Sequence, residues 1–467
     1  MSSTTARRPA GEKGSDLGSD LGLMPFIRSA DAPRPAGCEA QRVTTTAMRP
    51  LNRSDVPPAD SSAADRRPLR VLLTTDWWEP VVNGVVASVQ TLRAQLIALG
   101  CDVRVLTLSQ GIRSRADDGV YRLGSLSASM VYDRARIGMP ANRAVLREIM
   151  RWRPDVVHSQ VEFSTFVWAR RISRTLGVPL VHTYHTIYED YTHYYSPSVT
   201  VGRKVVASFS RRALSGTDAV IVPTAKVSRL LTGYGVRRPL HVIPTGLDLE
   251  RFRPAGSVAE LEDAAALRAR LGIRPEQKVL VSVSRLAQEK NLDEVLDHLA
   301  AADRPDAVLV VVGDGPYREQ LEARARRLGI TDRTRFVGVV DPSEVPRWYR
   351  MADLFVSASL SETQGLTYIE ALACGLPLLC RRDPSLTGVV LDGVTGYQID
   401  GSAQFRSRLA RLLDEPTLRE RMADQAHAHA RSTCGAETFG YAVLEVYRQA
   451  CARRAARPII SRRVSVA

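Results

Sequence analysis

From Leu69 onward, short apolar runs alternate with longer stretches in which apolar residues recur at helical spacing. Leu69–Thr75 is a compact apolar run of the kind a strand buried on both faces requires. A loop containing Asn83-Gly84 follows, then helical spacing from Val85 to Leu99 and a second strand run at Asp102–Leu108. Gly100 ends the helix, since glycine enters the left-handed region without a steric penalty. Strand, helix and strand in that order make a βαβ unit. Further strands are expected at Asp155–Ser159, Pro179–Thr183, Ala219–Val222 and His241–Ile243. This alternation predicts a parallel, doubly wound sheet.

Pro244–Gly256 has no helical pattern, and after it the rhythm restarts. Strands are expected at Lys278–Ser284, Ala307–Val312, Arg335–Val337, Leu354–Ser357 and Pro377–Cys380. The predicted fold class is therefore α/β, with two Rossmann-like doubly wound domains facing each other across a cleft. The expected divisions are a leader at 1–67, an N-terminal domain at 68–247, a C-terminal domain at 248–435, and a returning helix with a basic tail at 436–467. Within that last segment, Ala436–Arg453 carries the helical pattern and is placed to pack back across the domain junction.

Composition refines this picture in three places. Residues 1–67 are rich in Ser, Ala, Pro and Gly, too poor in apolar surface to offset the entropy of ordering, and are expected to be disordered. No apolar run approaches the roughly 18 residues needed to cross a bilayer, and Leu21–Ile27 is too short for a signal peptide. A cytoplasmic protein is expected. The six cysteines (38, 101, 374, 380, 434 and 451) form no CxxC pair, so neither a disulfide framework nor a zinc site is indicated. A net charge of +14 suits nucleic acid, an anionic membrane or phosphorylated small molecules, and suits a solvated arginine-rich surface equally.

The candidate chemistry lies on loops that follow strands, where open α/β sheets bind ligands. Arg285 and Lys290 follow the Lys278–Ser284 strand; two cations there can neutralise a diphosphate and stabilise it as a leaving group. Ser361-Glu-Thr-Gln-Gly-Leu-Thr-Tyr-Ile-Glu370 follows Leu354–Ser357. Gly365 and Leu366 open a helix whose first N–H groups would face an anion. Glu362 precedes that helix and Glu370 lies within it, so one carboxylate can accept from sugar hydroxyls while the other binds a ribose. Gly84 lets backbone approach a phosphate from the first domain.

The order of Asn83-Gly84, Arg285 with Lys290, Gly313-Asp314-Gly315, and Glu362 separated from Glu370 by seven intervening residues resembles the large retaining glycosyltransferase family of the two-Rossmann (GT-B) type. The resemblance spans roughly Leu69 to Arg453. It implies that Glu362 contacts the transferred sugar, Glu370 the ribose, and Arg285 with Lys290 the diphosphate, and that the acceptor-side histidine is His185. It also implies retention of configuration without a metal ion or other cofactor; no Asp-x-Asp motif stands in this region. A shorter resemblance concerns the acceptor. His182-Thr-Tyr-His-Thr-Ile-Tyr-Glu-Asp-Tyr-Thr-His-Tyr194, with Val157-His-Ser-Gln-Val-Glu-Phe-Ser164 upstream, is similar to the bacterial monoglucosyldiacylglycerol synthases. That likeness implies UDP-glucose as donor, diacylglycerol as acceptor, a place on the inner membrane face, and His158, Tyr184, Tyr188 and Glu189 as acceptor-binding residues.

Each of these features also has a plainer reading. Arg285 and Lys290 could pair with Glu289 at the surface. Gly313-Asp-Gly315 lacks the third glycine of a dinucleotide fingerprint, Arg318 standing there, and reads as a tight turn lining the nucleotide. His158 and His182 fit strand-end packing, and Tyr188, Tyr191, Tyr194 and Tyr195 fit an aromatic core. Nine arginines between Arg134 and Arg174 stand against three acids; a solvated helix face and an anionic membrane surface both account for them. A GDP-mannose-dependent transferase acting on a lipid or polyol is the runner-up enzyme. A basic nucleic-acid-binding protein has no recognisable module to support it, and nucleic acid is not expected as a partner. A membrane-binding scaffold without activity is disfavoured by the intact Arg285, Lys290, Glu362 and Glu370 set.

Overall fold

A computed structural model of the protein describes residues 67–81, 83–128, 136–139, 143–190 and 198–456. The expected leader apart from Arg67, Arg134, the tyrosines at 191, 194 and 195, and the tail from 457 lie outside the described residues.

The first half begins with β1 (Arg70–Thr74), α1 (Gly84–Ala98) and β2 (Asp102–Leu108). Two strands follow, β3 (Arg115–Asp117) and β4 (Val120–Leu123), then a small hairpin of β5 (Ser125–Ser127) and β6 (Arg136–Gly138). The chain continues through α2 (Arg143–Trp152), β7 (Val156–Ser159), α3 (Ser164–Leu176), β8 (Leu180–Thr183) and α4 (Val199–Leu214). It closes with β9 (Ala219–Val222), α5 (Ala225–Gly233) and β10 (Leu240–Val242). Among the described residues, eight of these strands form one sheet in the order β10-β9-β8-β7-β1-β2-β4-β3, parallel throughout except for β3 on β4.

The second half holds α6 (Val258–Arg270), β11 (Lys278–Val283), α7 (Leu292–Ala302), β12 (Ala307–Val312) and α8 (Arg318–Arg327). Next come β13 (Thr334–Gly338), α9 (Val345–Arg350), β14 (Leu354–Ser357), α10 (Leu366–Ala373), β15 (Leu378–Arg381) and β16 (Gly396–Ile399). Its sheet, β13-β12-β11-β14-β15-β16, is parallel throughout. Helices α11 (Ser402–Asp414), α12 (Pro416–Thr433) and α13 (Ala436–Ala455) end the description.

Side-chain alternation explains why helices cover both faces of the first sheet. Val71 and Leu73 point to the side filled by Val89 and Leu92 of α1 and by Phe439, Val443 and Tyr447 of α13. Leu72 points the other way, into Ile149 of α2, Phe166 and Ile172 of α3, and Ala213 of α4. The period of two along a strand thus gives each face its own core. The last helix returns from the second half onto the first sheet. The two crossing segments pair at Leu247, whose N–H donates to Cys434 O at 2.8 Å and whose carbonyl accepts from Ala436 N at 3.1 Å. One long-range bond locks the returning helix: Tyr447 hydroxyl and His158 Nδ1, both sealed from solvent, lie 2.6 Å apart. Tyr447→Phe leaves a buried imidazole nitrogen without its partner and is expected to cost about 1–3 kcal/mol. A shift of the denaturant midpoint checks this; an unchanged midpoint would show that α13 does not depend on the bond.

Candidate active site

The site is assembled from loops at the carboxyl ends of both sheets. After β11 the chain turns through Ser284-Arg285-Leu286, and the Gly313-Asp314-Gly315 turn after β12 lies against this loop. Leu286 N–H donates to Asp314 O at 3.0 Å. A Cβ at position 313 would stand 1.9 Å from Ser284 O, and one at 315 would stand 2.3 Å from Leu286 O. Any side chain at either position collides with the backbone that carries Arg285, which is why both must be glycine. Arg318 fixes the turn by an ion pair with Asp314 at 3.1 Å.

The loop after β11 is stitched to the loop after β14. Leu360 N–H donates to Glu289 O at 3.1 Å, and Asn291 Nδ2 donates to Ala358 O at 3.2 Å. Arg285 and the buried Glu289 form an ion pair. Lys290 Nζ reaches across to Glu362 Oε1 at 2.7 Å. Burial alone would raise the Glu362 carboxyl, but the Lys290 charge and hydrogen bond overcome it and hold the group below the usual glutamate range. Glu370, half-buried on α10, accepts from Tyr349 hydroxyl at 2.8 Å; burial pushes its carboxyl up to about 7 against that hydrogen bond. Two carboxylates eight positions apart are thus shifted in opposite directions by their surroundings.

Gly365 caps α10 with φ +76° and ψ 62°, a left-handed conformation that sends the chain abruptly into the helix. Facing it across the cleft, α1 starts at Gly84, with Asn83 Oδ1 accepting from Val86 N at 2.9 Å. A Cβ on Gly84 would come within 3.5 Å of Leu366 Cδ1, so the two helix N-termini adjoin. Their first N–H groups have no partner inside either helix.

On the first sheet, the loops after β7 and β8 hold a polar network. Ser159 Oγ lies 3.0 Å from His182 Nδ1, and His182 Nε2 lies 3.0 Å from Glu162 Oε1. Tyr188 hydroxyl donates to Glu162 Oε2 at 2.5 Å. His185 Nε2 lies 2.8 Å from Gln160 Oε1, and since a carboxamide oxygen only accepts, His185 donates there and keeps Nδ1 as an acceptor. Burial, with His182 nearby, drives its pKa down to about 3. This cluster is electrically continuous with the other half. Burial raises the Asp190 carboxyl to about 6, with Lys226 and Lys290 pulling it down and Glu189 and Asp383 pushing it up.

Such a geometry, with cations and helix N-termini converging between two parallel sheets, is suited to a doubly charged leaving group, and the comparisons agree with it. Residues 263–429 match the model for glycosyl transferases group 1, and residues 82–251 match that for glycosyltransferase family 4. The alpha-monoglucosyldiacylglycerol synthase of Streptococcus pneumoniae is 36% identical over 391 residues, covering 81% of this chain and 85% of the relative. The chain belongs to the GT-B glycosyltransferases. The synthase of the same name from Acholeplasma laidlawii is 29% identical over 359 residues, covering 75% of this chain and 89% of its own. Anabaena HepE, solved in complex with UDP-glucose, superposes with a TM-score of 0.64 at 18% identity, over 81% of this chain and 99% of that one.

Two expected acceptor residues of this glycosyltransferase have to be withdrawn. His158 is fully buried, with Nδ1 on Tyr447 and Nε2 on Thr183 Oγ1 at 2.7 Å, so no edge of the ring is left for a ligand. Tyr184 is equally sealed, its hydroxyl 3.0 Å from Ser210 Oγ. Both are core residues. Glu189 is engaged by Arg203 of α4 at 3.2 Å. Conversely, reading the sequence missed Lys226, which bridges the halves through Asp383 at 3.0 Å and Glu362 O at 3.3 Å. It also missed Gln364, whose amide exchanges hydrogen bonds with the Thr245 backbone at 2.9 and 3.0 Å. Lys226 does follow an apolar strand at a capped helix start, the same kind of place that drew attention to Arg285.

The raised Glu370 pKa makes a prediction about stability. Its folded value of about 7 exceeds the ordinary glutamate value, so the folded state holds the proton more tightly and stability is lost as pH rises between the two. Glu370→Gln keeps the bond to Tyr349 and is expected to stabilise the protein by roughly 1–3 kcal/mol at pH 8, shrinking toward zero at pH 4.5. Denaturant titrations at the two pH values check this; an equal effect at both would refute it.

Proposed function

We propose that this glycosyltransferase moves glucose from UDP-glucose to 1,2-diacylglycerol with retention of configuration and without a metal ion. The observation that carries the reading is the Lys290–Glu362 pair set beside the adjoining starts of α1 and α10. A lysine ammonium has three N–H donors. One is given to Glu362, which leaves others to meet the diphosphate as its charge develops. Arg285 and the N–H groups around Gly84, Gly365 and Leu366 add to that field, the work a divalent cation does in other transferases. Glu362, held ionised, is assigned to the hydroxyls of the transferred sugar and Glu370 to the ribose. Gly313 keeps the Arg285 loop in place.

His185 is assigned to the acceptor hydroxyl. Its pKa of about 3 makes it too weak a base to take that proton at neutral pH, so its role is to orient the hydroxyl through the accepting Nδ1. Tyr188 and Glu189 line the approach to it. Support for the lipid acceptor comes from the names of the two relatives at 36% and 29% identity. Arginines of α2 and α3, among them the exposed Arg151, Arg171 and Arg174, suit an anionic membrane at which such an acceptor resides.

A donor screen tests this. Purified protein with detergent-dispersed diacylglycerol is offered UDP-glucose, UDP-galactose and GDP-mannose in EDTA, with free nucleoside diphosphate and glycolipid measured separately. Glycolipid from UDP-glucose is expected, and Lys290→Gln or Arg285→Gln should cut turnover at least about tenfold. Glycolipid from GDP-mannose alone would replace the donor. Activity restored only by magnesium or manganese would overturn the metal-free mechanism.

A further inference from the structure

Helix α4 carries an apolar row exposed to solvent. Val201, Val205 and Phe209 stand four residues apart and are 57%, 58% and 41% exposed. That spacing puts them on one helix face, over about 12 Å at 1.5 Å per residue. The opposite face of α4 is already used, since Val206 and Leu214 are buried in a core with Val227 and Leu231 of α5. On neighbouring α3, Val167 is 63% exposed, and Phe163 just before it is 43% exposed.

Charge and position narrow down what covers this row. α3 carries three basic residues and α4 carries four, and neither helix has a single acid. Arg203 of α4 is turned to Glu189, while Lys204, Arg211 and Arg212 are exposed alongside the row. An apolar stripe edged by cations fits an anionic bilayer, with valine and phenylalanine among the acyl chains and the basic groups at the phosphates. The row is also continuous with the acceptor side of the site. The Tyr188 ring meets Phe163 at 5.9 Å and Phe209 at 6.2 Å between centroids, and the Tyr188 hydroxyl is the one bonded to Glu162.

We infer that α4, with Phe163 and Val167, inserts its apolar row into an anionic bilayer and thereby sets the acceptor loops at the membrane surface. The inference rests on the lipid-acceptor reading and deepens it. Binding is not purely electrostatic but has an apolar part that salt leaves intact. A lipid then passes to the site along Phe163, Tyr188 and Phe209 without crossing water.

The test reads insertion without any turnover. The Val205→Trp variant, mixed with vesicles of phosphatidylglycerol, is expected to lose tryptophan fluorescence when the acyl chains are brominated, by more than the parent protein does. The Val201→Gln/Val205→Gln double variant touches neither core nor site. It should bind these vesicles about tenfold more weakly, and the loss should persist at about 1 M salt, where the Debye length is about 3 Å. Its transfer to detergent-dispersed diacylglycerol should match the parent. Unquenched fluorescence from a vesicle-bound Val205→Trp variant would overturn the inference, as would undiminished vesicle binding by the double variant. So would a dimer in the absence of lipid that the double variant abolishes, since a second copy would then own the row. If the parent makes no glycolipid in detergent while quenching is still seen, the acceptor assignment fails and the membrane surface stands.

Discussion

The buried ion pair between Lys290 and Glu362 sets the terms for everything around it. Each charge has been taken largely out of water, and neither is tolerable there without the other. To keep them 2.7 Å apart, the loops after β11 and β14 must hold a fixed register. Backbone and side chain share that work: Leu360 N–H on Glu289 O, Asn291 Nδ2 on Ala358 O, and the Gly313-Asp314-Gly315 turn, whose two glycines press against Ser284 and Leu286. The sharp entry to α10 at Gly365 follows from the same loop. An arrangement this constrained fixes Arg285 and Lys290, each paired with a carboxylate, at the ends of parallel strands.

The second constraint is that the two halves of the chain touch through the same loops that carry the chemistry. Lys226 binds both Asp383 and the carbonyl of Glu362, and Thr224 Oγ1 donates to Thr363 O at 3.0 Å. Gln364 is clasped by Thr245 in the segment that crosses between the halves. A change in the spacing of the halves therefore moves the backbone on either side of Glu362. α13 limits such changes from behind, anchored to the first sheet by Tyr447 on His158.

Much of this was legible in the sequence. The strands at Asp102–Leu108, Ala219–Val222, Ala307–Val312 and Leu354–Ser357 coincide with the expected runs, because strands covered on both faces are mostly apolar along their length. β3, β4, β5, β6 and β16 were not anticipated; β3, β5 and β6 have only three residues each, and β4 and β16, though mostly buried, are four-residue stretches interrupted by Arg122 and Gln398, which leaves no apolar run to read. Arg285, Lys290, Glu362 and Glu370 stood out because residue type and strand-end position coincided. The side chains that tie distant segments together did not, since Lys226 meets Asp383 across 157 positions and His158 meets Tyr447 across 289. His158 misled for a related reason. A histidine at a strand end looks the same in the sequence whether it faces a ligand or closes a core, and only its contacts tell the two apart.

The proposed role of Glu362 lies on the transferred sugar rather than on the nucleotide or the fold. Glu362→Gln leaves an oxygen able to accept from Lys290 but removes the counter-charge of that lysine, so the denaturant midpoint is measured alongside activity to separate a role on the sugar from a cost to the fold. Turnover and the affinity for free UDP, measured side by side on this variant, decide the matter. A turnover loss of about a hundredfold or more with UDP affinity changed less than about threefold is the expected result. Equal losses in both quantities, or none in turnover, would contradict the account.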